Sequence, residues 1–179
     1  MENFWDKRYA GAGFLFGTKP AAGLIALEPH LVAGGKTLVV ADGEGRNSVY
    51  LASRGYEVRA TDYSQVAQTK AKALAKEAGV DVEFVLSDIY DSGRSDEVYD
   101  NVVAIFIQFV PPERMVEIFT ALARATRAGG TLLIHGYTPN RSPWVRVAQA
   151  IPIICTHPIC WQMRFPTCRS QSTVPIPPP

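Results

Sequence analysis

The residues in this chain best suited to chemistry are carboxylates placed just beyond apolar runs. Asp42 and Glu44 flank Gly43 in the stretch Ala41-Asp42-Gly43-Glu44-Gly45-Arg46-Asn47, which follows the aliphatic run Thr37 to Val40. Asp62 closes the run from Tyr56 to Thr61, and Asp88 follows the run from Val82 to Leu86. An ionised carboxylate only accepts hydrogen bonds, so the chemistry on offer is recognition of hydroxyls, amines and cations. Glycines at 43 and 45 let the backbone turn sharply and let a ligand approach the first N–H groups of a following helix more closely than a Cβ would allow. Asp62 lies 17 residues beyond Gly45, a βαβ distance at which an acidic side chain reaches the two hydroxyls of a ribose. That spacing alone does not separate NAD from other adenosine cofactors.

Charge separates them. A dinucleotide brings a pyrophosphate to such a turn, yet Asp42 and Glu44 stand there and Ser48 fills the third fingerprint glycine position. Two unit charges about 4 Å apart interact by roughly 4 kcal/mol at an effective dielectric near 20. The turn therefore disfavours phosphate and favours a cation. S-adenosylmethionine, with an adenosine at one end and an ammonium and a sulfonium at the other, meets that requirement. Two rival readings stand beside it: an NAD-dependent oxidoreductase, and a non-catalytic or inactive domain that at most holds S-adenosylmethionine.

The stretch from Ala41 to Asn47 resembles the first glycine motif of class I S-adenosylmethionine-dependent methyltransferases, in the branch of thiopurine-methyltransferase-like and tellurite-resistance-like proteins. The resemblance runs from about Trp5 to Pro139. It departs at Val39, where many members are acidic, and at Ala41, where many carry the first glycine. It implies that Ala41, Asp42, Gly43, Glu44, Gly45 and Asn47 form the cofactor turn, and that Asp62 and Tyr63 meet the ribose. It also implies that Asp88 takes the adenine amine and Ile89 its face, although an Asp capping the local turn is an equally open reading of Asp88. Trp5 and Phe16 would shield the site, and Arg8 would meet the cofactor carboxylate. Ligands in open α/β sheets bind outside the carboxyl ends of strands, so Ala104, Ile105, Phe106 and Gln108 are candidates to line the methyl-transfer site. His135 and Tyr137 would face the acceptor. His135 is the one histidine placed to act as a base, against a simpler reading as a non-catalytic residue ending a strand. The acceptor implied is a small molecule, in particular a thiol or another soft nucleophile.

The elements that position these residues can be read from periodicity. Apolar runs at 37–40, 56–61, 82–86, 102–107 and 131–134 read as strands. The segments 20–32, 46–54, 64–78 and 112–122 read as helices, with Ser64 as an N-cap and Gly79 as a stop. Alternation of strand and helix predicts a three-layer, Rossmann-like α/β fold with a largely parallel sheet. Residues 1–139 are expected to form the cofactor-binding domain, with 1–17 as an aromatic lid. Residues 140–179, dense in proline and carrying all three cysteines, are expected to be a poorly ordered tail in which the closing strands are missing or altered. Cys155, His157, Cys160 and Cys168 do not have a standard zinc spacing, and no metal is expected. With 47% hydrophobic and 20% charged residues and a formal net charge of +1, nothing favours nucleic acid or an anionic membrane as partner. The N-terminus lacks the apolar core of a signal peptide, and a cytoplasmic location is expected.

Overall fold

The computed structural model describes residues 4–91, 98–137 and 148–154. In chain order the elements are α1 (Phe4–Tyr9), α2 (Ala22–Leu27), β1 (Lys36–Val40), α3 (Arg46–Ser53), β2 (Glu57–Asp62), α4 (Gln65–Ala78), β3 (Glu83–Leu86), β4 (Tyr99–Ile105), α5 (Pro112–Ala125), β5 (Thr126–Tyr137) and β6 (Ala148–Ile154). They build a 6-stranded sheet in the order β3-β2-β1-β4-β5-β6. The first five strands are parallel, and β6 runs antiparallel to β5. Strand order reverses between β1 and β4, the point at which open α/β sheets place their ligands.

Period-two alternation divides the core between two faces. Val39, Val103, Ile105 and Leu133 pack under α2 and α3 with Leu24, Leu27 and Leu51. Leu38, Val40, Val102, Ala104 and Leu132 pack under α5 with Ile118 and Leu122. Full burial of each such aliphatic side chain is worth about 1.5–3 kcal/mol, so these two layers hold the strand ends rigidly. The expected caps are present. Ser64 Oγ accepts the Ala67 N–H at 3.1 Å, and Gly79 ends α4 with φ +67.

The structure also corrects several boundaries. The helix expected over 20–32 stops at Leu27 and passes into a single 3-10 turn, Glu28–His30. Pro29 is the reason, because it can supply no backbone donor to continue the α-helix. The strand expected to run to Ile107 ends at Ile105, since Phe106 takes φ +58. β5 begins earlier than the glycine turn at 129–130: Tyr99 pairs with Thr126 and Asn101 with Thr131, so the two glycines lie in an irregularity of the strand. Past Pro139, residues 148–154 join the sheet opposite β5, with Pro152 in register with Leu133. An outer strand has one side free of ladder bonds, and a proline is tolerated there. The expectation of a poorly ordered tail from residue 140, with the closing strands missing or altered, does not include this strand. The cysteines and the rest of the tail, 155–179, lie outside the described residues.

Candidate cofactor and acceptor site

At the carboxyl end of β1 the chain turns through three left-handed residues, Ala41 (φ +50), Gly43 (φ +64) and Gly45 (φ +89), before α3 begins. Gly45 is required by space as well as by angle, because a Cβ there would lie 2.7 Å from the Ala71 Cβ on α4. Ala41 holds its angle against a steric cost of about 1–2 kcal/mol. Phe106, at the end of β4, is a second non-glycine in the left-handed region. Two such residues at adjacent strand ends mark a backbone held in strain beside a site.

Carboxylates fasten the turn. Asp62, at the end of β2, accepts the Gly43 N–H at 2.8 Å and the Ser64 N–H at 2.8 Å. Asp42 accepts both the backbone N–H and the hydroxyl of Ser48. Asn47 Oδ1 accepts the Ala21 N–H at 3.0 Å and so fixes the start of α2 beside the same turn. Burial raises Asp42 to about 6, with the Ser48 hydrogen bonds opposing and Asp62 adding to the rise. Burial also raises Asp62, against the backbone N–H groups that hold it.

The N-terminal segment closes over this end of the sheet. Asp6 of α1 accepts from the Ser64 hydroxyl and, at 3.3 Å, from the Val66 N–H, which puts a carboxylate at the positive end of α4. Glu44 is turned into this clasp and away from the cavity. It pairs with Lys70 Nζ at 2.8 Å and accepts the Leu15 N–H at 2.7 Å, while Lys70 also donates to the carbonyls of Gly11 and Gly13. Above the turn, Trp5 stacks on Tyr9 at 5.7 Å and meets Phe109 edge-on at 5.7 Å, and Tyr9 meets Phe16 at 6.4 Å. The Tyr9 phenol is driven far up by burial and by Asp62, Glu44 and Asp42 around it.

Beneath that aromatic roof lies a cavity of about 1170 Å³. Of the residues named from sequence, Trp5, Phe16, Ala41, Asp42, Asn47, Asp62, Tyr63, Asp88, Ile89, Ile105, Gln108 and His135 all line it. Gly43, Gly45 and Glu44 shape the turn from behind, and Ala104 is wholly buried in the core. Arg8 lies outside the lining, its guanidinium over the rings of Phe4 and Trp5. The side chain of Tyr137 falls outside the described residues. Phe106, also named from sequence, lines it too, as do residues 20–23, Tyr9, Arg46, Tyr90 and Phe109, which were not. The aromatic character of the N-terminus could have signalled Tyr9. Nothing local marks Ala21, Ala22 or Gly23, which come to the site only through the packing of α2.

The donor set decides which cofactor fits. A phosphate needs free N–H groups at this turn, but Asp62 holds that of Gly43 and Asp42 that of Ser48. Two donors of the turn are therefore already taken by carboxylates. An adenosine cofactor with a positive sulfur fits the same residues. Asp88 Oδ1 accepts the Tyr90 N–H at 3.1 Å and so caps the local turn; a carboxylate has about four lone-pair sites, so Asp62 and Asp88 both keep capacity for further donors. Among the described residues no group of three or more His, Cys, Asp or Glu is arranged to hold a metal, and no helix is long and apolar enough to cross a membrane.

Comparison with known proteins points the same way. The sequence family described as a methyltransferase domain matches residues 38–130, more than half of the chain. A phosphatidylethanolamine N-methyltransferase of Cereibacter sphaeroides is 29% identical over 149 residues, covering 81% of this chain and 72% of that protein. TehB of Haemophilus influenzae, a probable S-adenosyl-L-methionine-dependent methyltransferase, is 25% identical over 134 residues, covering 74% of this chain and 44% of TehB. The crystal structure of TehB superposes with a TM-score of 0.58 at 24% identity, over 76% of this chain and 46% of that one. A methyltransferase of Thiobacillus denitrificans in complex with S-adenosylhomocysteine gives a TM-score of 0.62 at 22% identity, over 81% of this chain and 59% of that one. At these identities the solved structures establish the fold. The chain spans less than half of TehB.

Proposed function

This chain belongs to the methyltransferase domain family, class I and S-adenosylmethionine-dependent, in the TehB-like branch, and we propose that it transfers a methyl group to a small-molecule acceptor. The observation that carries the proposal is the carboxylate row along the strand ends, with Asp42, Asp62 and Asp88 all facing one roofed cavity. When bound, S-adenosylmethionine supplies a methyl group already activated by a positive sulfur. The protein's work is then alignment and exclusion of water rather than activation by a triad. Asp62 and Asp88 hold hydroxyl and amine donors at the β2 and β3 end. Asp42 offers negative charge at the centre. Trp5, Tyr9, Phe16 and Phe109 close the top. At the β4 and β5 end, Ile105, Phe106, Gln108 and His135 leave space for the acceptor.

In this reading residues 1–139 carry the activity, 1–17 form its lid, and the protein works in the cytoplasm without nucleic acid or membrane as partner. A soft nucleophile is the acceptor class that asks least of such a site. The test is calorimetric titration of S-adenosylhomocysteine into wild type and Asp62→Ala. Loss of one well-placed carboxylate lowers affinity by about 1–3 kcal/mol, roughly 5- to 150-fold. Unchanged affinity in a folded variant removes Asp62 from the site and withdraws this assignment.

A further inference from the structure

His135 ends the apolar run of β5 at the side of the cavity away from Asp62. It is 2% exposed, and among the described residues its Nδ1 has no hydrogen-bond partner. Phe106 stands edge-on to it at 5.1 Å between ring centroids. On its other side is the backbone of Gly23, where a Cβ would lie 2.4 Å from Cε1 and 2.6 Å from each ring nitrogen. Position 23 thus leaves room for the edge of an imidazole and gives it nothing to bond. A buried polar atom without a partner costs about 1–3 kcal/mol, and His135 belongs to the cavity wall.

We infer that His135 accepts the proton of the methyl acceptor, and that this acceptor is an apolar molecule carrying a dissociable O–H or S–H. The inference rests on the methyl-transfer reading above. The acceptor's oxygen or sulfur forms the new bond to the methyl carbon, the bond from that carbon to the sulfonium sulfur breaks with its electron pair kept by sulfur, and the proton passes to the neutral imidazole. Nothing is oxidised or reduced, and the proton leaves to solvent with the product. An apolar body is called for because Phe106 stands against the imidazole and Ile105 is its register partner on β4, both in the cavity wall.

The ring is suited to the task. Burial lowers His135 from the ordinary histidine value by disfavouring the charged ring, so the resting form is the neutral imidazole, which has a nitrogen able to accept. The elements packed against it bring no charge: α2 is Ala-Gly-Leu-Ile-Ala-Leu, the chain from Ile105 to Gln108 is uncharged, and Ala150 of β6 lies opposite in register. Asp42, Asp62, Asp88, Lys19 and Arg46 line the same cavity, yet burial alone accounts for the shift.

The experiment uses the full chain saturated with S-adenosylhomocysteine, with histidine ¹⁵N-labelled, and titrates phenol and anisole in parallel. The two probes share a shape, but anisole has no proton to give. We expect phenol to move the His135 ring-nitrogen resonances and to bind about fivefold more tightly than anisole, the worth of one hydrogen bond. His135→Phe should erase that preference while binding S-adenosylhomocysteine as wild type does, and the wild-type titration stands by itself if the variant does not fold. Equal binding of phenol and anisole, or unmoved His135 resonances, with S-adenosylhomocysteine still bound, overturns this inference alone. Failure of the wild-type chain to bind S-adenosylhomocysteine overturns the methyl-transfer reading and the inference with it.

Discussion

Replacing Asp42 by Asn tests the electrostatics of the turn most sharply. Asp42 is buried and held by Ser48, and burial raises its carboxyl from an ordinary 3.8 to about 6 in the folded chain. Between those values the folded protein keeps a proton that the unfolded chain has lost. Stability contributed by the protonated form is therefore present below about pH 4 and falls as pH rises toward 6. At about 1.4 kcal/mol per pH unit, the whole span is on the order of 3 kcal/mol. Asn at this position cannot ionise and avoids that loss. Thermal unfolding of both proteins without cofactor, followed by circular dichroism from pH 3.5 to 8, should show Tm values that nearly agree at the acid end. The variant should be higher by several degrees at pH 8, since 1 kcal/mol corresponds to roughly 2–4 °C for a chain of this size. The same variant should lose more affinity for S-adenosylmethionine than for S-adenosylhomocysteine, because only the former carries the positive sulfur. A Tm difference that stays constant with pH would refute the reasoning, since it would mean that Asp42 titrates alike in folded and unfolded chains.

Two more outcomes follow from the turn and its clasp. Ala41→Gly releases left-handed strain of about 1–2 kcal/mol and gives back about 0.5–1 kcal/mol through greater freedom of the unfolded chain. Tm should rise by up to about 6 °C in thermal unfolding, and a fall would show that Ala41 is not strained. Lys70→Met leaves the buried Glu44 carboxylate without its cation and removes the donor to Gly11 and Gly13. The expected loss is about 3 kcal/mol by denaturant titration, with proteolysis of the segment before Phe14 accelerated. Wild-type resistance in that segment would mean that the Lys70 clasp does not hold the lid.

Features that depend on neighbouring residues in sequence were legible without coordinates. The glycine turn, the capped helix from Ser64 to Gly79 and the carboxylates at strand ends are local chemistry, and each falls where the spacing puts it. Pro29 was also on view, but the apolar spacing of Leu24, Ile25, Leu27 and Leu31 concealed the break it makes. Contacts between distant segments were not legible. Glu44 reads as a site carboxylate beside Gly43, and only the fold shows it paired with Lys70 a helix away. Gly23 carries no signal at all until α2 packs on His135 and the missing Cβ becomes room for an imidazole. The strand at 148–154 was hidden by Pro152, which forbids a central strand but is compatible with an outer one.

The central claim is that the carboxylates of this turn select a cationic adenosine cofactor over one bearing a pyrophosphate. Calorimetric titration of the folded full chain with S-adenosylmethionine, with NAD titrated under the same conditions, tests it directly. Saturable heat with S-adenosylmethionine and none with NAD is the predicted result, and saturable binding of NAD, or none of S-adenosylmethionine, would contradict it.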